Sequence, residues 1–158
     1  MPRRAHVFIS FFLLALSWPS FTLAVERSDA KDALFLISKA QAYIKANGLE
    51  KAFIEFNRLD SPFNTKSDIN PKGDLYVYTL DSKGYQSVHG KNPKIRGKVM
   101  LEMRDIDGVF LIENMVKICF ESKEGRGWTR YRWPNPVTKE VEPKQGYRSE
   151  EHTSELQS

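Results

Sequence analysis

"GWTRYRWPNPVTKEVEPKQGY", residues 127–147, decides the fold, because it predicts two neighbouring antiparallel strands joined by a proline-rich turn. The first seven residues are rich in aromatic side chains, and a further strand starts at Lys144, after Pro143. Side chains alternate faces along a strand. One face of the first strand therefore carries Thr129, Tyr131 and Trp133, and the other carries Trp128, Arg130 and Arg132.

Tyr131 and Trp133 stand side by side on one face of this strand, which allows two interpretations. They can be core residues of the sheet, or they can be the walls of a pocket. The turn returns Lys144 to the neighbouring strand, and a cation beside aromatic walls suits a small anion. We therefore predict a pocket in which Lys144 and Tyr131 hold a carboxylate while Trp133 packs against a short apolar tail.

The segments before this hairpin predict helices followed by strands. Apolar residues recur at helical spacing from Ser28 to the Asn47-Gly48 pair, and the pattern repeats in a second, shorter helix that ends before Pro62. After a turn-rich loop, two short strands form a hairpin over 74–89, and a largely buried helix follows within 109–121. Helices and strands without regular alternation favour an α+β domain with an antiparallel sheet.

The amino terminus has the features of an export signal. "MPRR" is positively charged, "VFISFFLLAL" is apolar, and small residues at Thr22 and Ala24 suit a signal peptidase. We expect cleavage after Ala24, so that residues 1–24 are removed. The alternative is an uncleaved membrane anchor, but Trp18 and Pro19 interrupt the run before it reaches the roughly 20 apolar residues of a spanning helix.

The carboxyl terminus, "RSEEHTSELQS" at 148–158, lacks the apolar periodicity of the preceding segments. It matches, codon for codon, the translation of a widely used sequencing-library adapter. The alternative is a disordered polar tail, but chance does not readily produce an eleven-residue match. We therefore interpret 148–158 as foreign, and expect the tail to interrupt the strand that starts at Lys144.

Composition and motifs exclude several classes of function. The chain has 158 residues, enough for one core, and a formal net charge of +4 with interspersed signs, which does not indicate nucleic-acid binding. No phosphate loop, nucleophile elbow or metal motif occurs, and His89 is the one histidine of 25–147, so we expect no cofactor, metal or enzymatic activity. Cys119 is expected to be a buried thiol. Asp105 and Asp107 fit a turn that caps the following helix better than a calcium loop.

Four sequence motifs, in order, resemble the single Cache domain family of bacterial extracytoplasmic sensors: "AFIEFN", "DLYVYTLDSKGYQSVHGKNPKIRGK", "DIDG" and "GWTRYRWPNPVTKEVEPK". The resemblance covers about 29–147 and implies one sensor domain over 25–147. It also implies a long helix packed on a PAS-like antiparallel sheet, without its final strand. By position it assigns pocket roles to His89, Tyr131, Trp133 and Lys144, and apolar walls to Tyr78 and Phe110.

The same resemblance implies what the domain binds and where it works. Family members bind short-chain carboxylates such as acetate, propionate, pyruvate or lactate, and those with a signal peptide and no second apolar span are stand-alone periplasmic proteins that pass ligand occupancy to a membrane receptor partner. The alternative is the truncated extracytoplasmic part of a membrane chemoreceptor or histidine kinase. A small secreted enzyme would need a nucleophile and a base that the sequence does not offer.

Overall fold

The computed structural model describes residues 26–135 and 138–149. The predicted export signal at 1–24 and residues 150–158 of the tail lie outside the described residues, whereas Arg148 and Ser149 lie within them. No helix of the described residues is long and apolar enough to span a bilayer.

Two consecutive helices open the domain, as predicted. Helix α1 spans Ala30–Asn47 and helix α2 spans Leu49–Asn57. Asp29 caps α1, since its carboxylate accepts hydrogen bonds from the backbone N–H groups of Lys31 at 2.8 Å and Asp32 at 3.0 Å. Such a cap contributes about 0.5–2 kcal/mol. Gly48 joins the helices at φ 79°, a left-handed conformation that favours glycine.

The apolar stripes of α1 and α2 form one core with the first strands. Its aromatic centre is Phe56, which is fully buried, with ring centroids 4.7 Å from Phe63 and 5.8 Å from Tyr43. The buried members of this cluster are Leu36, Ala40, Ala52, Phe56, Phe63, Val77 and Val88. Val77 immediately precedes the first strand and Val88 lies in the third, so this cluster packs α1 and α2 onto the sheet.

The predicted hairpin over 74–89 is confirmed, but its strands are short. Strand β1 (Tyr78–Thr79) pairs antiparallel with β3 (Val88–His89), and β2 (Tyr85–Gln86) pairs with β4 (Lys98–Val99). A 3₁₀ turn, Pro93–Ile95, precedes β4. Side chains accept hydrogen bonds from backbone N–H groups that would otherwise pair with a neighbouring strand. Thr79 Oγ1 accepts from Val88 N at 3.1 Å, and Asn57 Oδ1 accepts from His89 N at 3.2 Å.

The third helix packs against the other face of the sheet, in agreement with the predicted buried helix. Helix α3 spans Leu111–Val116 and continues as a π-helical turn, Lys117–Glu121. A second buried cluster comprises Leu80, Leu111, Ile112, Met115 and Val116, with Tyr131 and Trp133 packed against it. Cys119 is a buried free thiol, as predicted.

The prediction that Asp105 and Asp107 cap this helix is wrong. The residue before α3 is Phe110, and no side chain caps it. The Asp105 carboxylate instead accepts from the backbone N–H groups of Asp107 and Val109, both at 2.9 Å, and from that of Arg132 at 2.8 Å. Backbone hydrogen bonding, foremost from Arg132, lowers the pKa of Asp105 despite desolvation. Asp105 therefore closes its own turn and fastens that turn to a strand.

That strand belongs to the long hairpin predicted from 127–147. Strand β5 (Arg126–Pro134) pairs antiparallel with β6 (Val141–Ser149), and Tyr131 lies directly opposite Lys144. Strand β6 begins three residues before the predicted start at Lys144. It also continues through Arg148 and Ser149, which pair with Gly127 and Arg126. The first two residues of the tail therefore extend the strand and do not interrupt it.

A groove beneath α1 separates β6 from β1, and we call it the α1 groove. It consists of two adjoining cavities of about 610 and 420 Å³. The first is lined by residues between Asp74 and Tyr78 and between Glu142 and Tyr147, and the second by residues between Val77 and Ser82 and between Tyr147 and Ser149. The two chain segments therefore run in the same direction along the groove. Neither β1 nor β6 pairs with another described strand on this side.

Candidate functional site

A small cavity lies between the sheet and α3, and we call it the tyrosine cavity. Its volume is about 30 Å³, room for roughly two or three groups the size of a water molecule. Three tyrosines, five aliphatic side chains and three other side chains line it. They are Tyr76, Tyr78 and Tyr131; Ile95, Met103, Leu111, Ile112 and Met115; and Gln86, His89 and Trp133. Tyr76, Tyr78 and Tyr131 also line the larger part of the α1 groove, so the two spaces share these walls.

Strand alternation brings the tyrosines together. Tyr76 and Tyr78 are two residues apart and share one face, and their ring centroids are 6.3 Å apart. Gly146 makes room for the third ring, since a Cβ atom there would lie 2.7 Å from the Tyr78 hydroxyl and 3.3 Å from the Tyr131 hydroxyl. Burial raises the pKa of each of the three phenols, so all three hydroxyls keep their protons and can donate hydrogen bonds.

His89 is held in one orientation by the loop that follows it. The side chain is 6 % exposed, its ring stacks on Tyr76 at 4.7 Å, and its Nδ1 accepts from the backbone N–H groups of Lys91 at 3.2 Å and Asn92 at 3.0 Å. Burial, with the positive charges of Arg96 and Lys144, lowers the pKa of His89 to about 4. The neutral ring therefore carries its proton on Nε2, which is its remaining donor.

Lys144 supplies the cation of the site. It faces Tyr131 across the hairpin, and its Nζ lies 5.8 Å from the centroid of the Tyr76 ring. Burial lowers the pKa of Lys144, against the opposing influence of Glu142 and Asp74. Within the part of the chain that the structure describes, Lys144 forms no ion pair with a carboxylate. Lys144 is thus a half-buried ammonium that forms no ion pair and can bind an anion, with Glu142 and Asp74 acting on it from the same groove.

The structure brings five of the six predicted site residues together and separates the sixth. His89, Tyr131, Trp133 and Tyr78 line the tyrosine cavity, and Lys144 lines the adjoining groove. Phe110 lies apart: the guanidinium of Arg104 covers its ring at 3.6 Å, and the next residue, Leu111, lines the cavity in its place. Phe110 precedes α3 and is not part of it, which explains the one-residue shift.

Sequence reasoning missed three residues at the site. Tyr76 could have been found, because it shares the alternation of Tyr78 in "LYVYT". Gln86 stands alone as a polar residue and gives no comparable signal. Arg148 was assigned to the foreign tail, yet its side chain is only 8 % exposed and its guanidinium lies 5.3 Å from the centroid of the Tyr78 ring.

Within the described residues, no group of three or more histidine, cysteine or acidic side chains is placed to hold a metal ion. The chemistry of the site consists of three phenol hydroxyls, one imidazole N–H, one amide and one ammonium beside an apolar helix. Such a set can bind and orient a small polar molecule. It presents donors and a positive charge, which favour an anion.

The helices and antiparallel strands define an α+β domain, and comparison with known proteins identifies its family. The family model described as Cache domain, dCache_2, matches residues 57–150, more than half of the chain. The chain therefore belongs to the Cache domain family, whose members are sensory ligand-binding domains. Because the matching model is not the single-Cache one, the single-Cache subtype stays a prediction.

Three solved structures are similar to this chain, and one of them supports the fold. A periplasmic sensor domain of a chemotaxis protein superposes with a TM-score of 0.55 at 18% identity, covering 78% of this chain and 82% of the other. A methyl-accepting chemotaxis protein from Vibrio parahaemolyticus gives a TM-score of 0.46 at 22% identity, covering 75% and 89%. A Cache chemosensory domain described for carboxylic acid recognition gives 0.49 at 25% identity, covering 74% and 76%. The first of these supports the α+β sensor fold predicted from the sequence.

Proposed function

We propose that this chain is a periplasmic sensor domain that binds a short-chain carboxylate such as acetate, propionate, pyruvate or lactate. The observation that carries the proposal is the position of Lys144, a desolvated cation without an ion-pair partner in the described part of the chain, directly opposite Tyr131. Charge-assisted hydrogen bonds from the ammonium and a tyrosine hydroxyl to a carboxylate contribute roughly 1.5–3 kcal/mol each.

The electrostatics around the tyrosine cavity support an anionic ligand. None of the residues that line it is acidic, and His89 and the three tyrosines are neutral donors there. The positive charges of Arg96 and Lys144 act on His89, and Arg148 acts on Tyr78. These charges favour a carboxylate at the tyrosine cavity, whereas the groove on the side of Lys144 also carries Asp29, Asp74 and Glu142.

The size and walls of the site support a small ligand with a short apolar part. The tyrosine cavity, about 30 Å³, has room for a methyl or hydroxyl group of a small ligand, and the larger part of the α1 groove, about 610 Å³, has room for its carboxylate beside Lys144. Trp133, Met115 and Leu111 provide the apolar side. Each methylene buried against such a wall contributes about 0.8 kcal/mol.

We propose that residues 1–24 direct export and that the domain passes its ligand occupancy to a membrane receptor partner. Material exported by a bacterium should begin at Val25 on amino-terminal sequencing. A start at Met1 in the membrane fraction would favour an anchor. The alternative is that the chain is the extracytoplasmic part of a membrane chemoreceptor or histidine kinase. Resequencing the gene past the codon of Tyr147 distinguishes this alternative from a stand-alone protein. A second apolar span would support the receptor.

Thermal shift tests the site directly. A ligand that binds only the folded state and is supplied at a hundredfold excess over its Kd stabilises it by about 2.7 kcal/mol. We expect a shift with acetate, propionate or pyruvate, its loss in Lys144→Met and its weakening in Tyr131→Phe. Lys98→Met and Tyr85→Phe are matched controls, because both side chains are exposed and line neither the tyrosine cavity nor the α1 groove. Intact binding in Lys144→Met, or no shift with any carboxylate, would overturn the proposal.

A further inference from the structure

Gln86 is a buried amide whose carbonyl has no partner. It lies on β2, is 2 % exposed and lines the tyrosine cavity. In the described part of the chain, its Oε1 accepts no hydrogen bond. A buried acceptor without a donor destabilises a folded protein, so we expect a molecule in the cavity, either water or a ligand group, to donate to this oxygen.

Two buried amides, Gln86 and Asn70, have a carbonyl without a partner in the described part of the chain, and of these two Gln86 lines the tyrosine cavity whereas Asn70 does not. Other buried or partly buried amides are satisfied. Asn64 is fully buried, and it donates to the carbonyls of Phe56 and Arg58, both at 2.8 Å, and accepts from Val77 N at 3.2 Å. Asn57 donates to Ser87 O at 3.1 Å and accepts from His89 N. These amides hold the loops in place, whereas the carbonyl of Gln86 is left for a molecule in the cavity.

The missing donor must come from a group that the positive surroundings tolerate. An ammonium group on the ligand would satisfy Oε1, but the charges of Lys144 and Arg96 act on this site and no acidic residue lines the cavity to offset them. A hydroxyl group donates without adding positive charge. A ligand that carries a hydroxyl beside its carboxylate meets both conditions.

We propose that Gln86 is a specificity-determining residue, whose carbonyl accepts a hydrogen bond from the 2-hydroxyl group of a 2-hydroxy carboxylate. This inference rests on the proposed carboxylate site. It ranks lactate above propionate, which has the same carbon skeleton without the hydroxyl. Tyr131 and Gln86 line the same cavity, so in this proposal the carboxylate binds at Tyr131 and Lys144 while the 2-hydroxyl group enters the cavity towards Gln86.

Isothermal titration calorimetry of the full chain with lactate, propionate and 2-fluoropropionate tests this role. Fluorine replaces the hydroxyl at similar size without a proton to donate. We expect lactate to bind about tenfold more tightly than either analogue, the effect of one good hydrogen bond. Gln86→Met keeps the side-chain volume, and it should reduce this ratio to about one by weakening lactate alone. Glu102→Met, at an exposed position that lines neither the tyrosine cavity nor the α1 groove, is the control that should retain the ratio.

The outcomes separate the two proposals. If lactate and propionate both fail to bind, the carboxylate site itself is wrong. If both bind equally to the wild type, or if 2-fluoropropionate matches lactate, the carboxylate site stands and the role of Gln86 is overturned. A Gln86→Met variant that keeps the tenfold preference also overturns it. Should that variant not fold, the comparison of the three ligands on the wild-type chain still decides the matter.

Discussion

Acidification should destabilise this domain through His89, and His89→Asn should remove the effect. His89 is neutral when folded, because burial and the charges of Arg96 and Lys144 lower its pKa from 6.5 to about 4. Asparagine places an oxygen where the imidazole has Nδ1, so it can still accept from the backbone of Lys91 and Asn92. It cannot take up a proton in this range.

The sign and size of the effect follow from the two pKa values. Below pH 6.5 the unfolded chain protonates His89 while the folded chain does not, so stability present above pH 6.5 is lost as the pH falls towards 4. A difference of about 2.5 units corresponds to a loss of about 3 kcal/mol at 1.36 kcal/mol per unit. Nearly the whole loss should be complete at pH 4.

Urea unfolding at pH 7.5, 6.0 and 4.5 measures this loss. The wild-type free energy of unfolding should fall by about 2–3 kcal/mol relative to that of His89→Asn over this range. Both proteins share the histidines at 6 and 152 and all the carboxylates. The comparison with the variant therefore cancels the contributions of these groups to the pH dependence. Parallel curves for the two proteins would refute the burial of a neutral imidazole at this site.

Two further predictions concern the unpaired edges of the sheet and the close contact at Gly90. If resequencing past the codon of Tyr147 reveals a further strand, replacing residues 148–158 with it should raise the Tm by at least about 5 °C, because a strand antiparallel to β1 and β6 would pair both edges of the α1 groove. An unchanged Tm would contradict this. Gly90→Ala should prevent folding or cost several kcal/mol in urea unfolding, because its Cβ would lie 1.8 Å from Asn64 Oδ1. Gly48→Ala has open space at φ 79° and should cost only about 1 kcal/mol; similar losses would contradict the packing argument.

Periodicity predicted the helices and the long hairpin well, because each buries one regular face. The apolar stripe of α1 and the alternation of β5 are visible in the sequence and are realised in the fold. Strand length was less predictable. Thr79 and Asn57 take backbone donors with their side chains, and no local pattern distinguishes such residues from ordinary polar positions.

The site was partly predictable for a similar reason. Alternation and a turn place Tyr131 opposite Lys144, and the structure keeps that register. Phe110 was assigned to a wall by position, but the turn that Asp105 closes shifts the start of α3, so Leu111 faces the cavity. Gln86 becomes notable only when its unpartnered oxygen and the acid-free lining are seen together, which requires the fold.

The segment that leads into β1 links the cavity to the first helix by strand alternation alone. Tyr76 and Tyr78 face the tyrosine cavity, while Val77 between them packs in the cluster that contains Leu36 and Ala40 of α1. We therefore predict that a ligand which displaces either tyrosine also shifts α1, because protein cores are close-packed and transmit strain. Such a shift would pass from the cavity to α1 through the three consecutive residues 76–78.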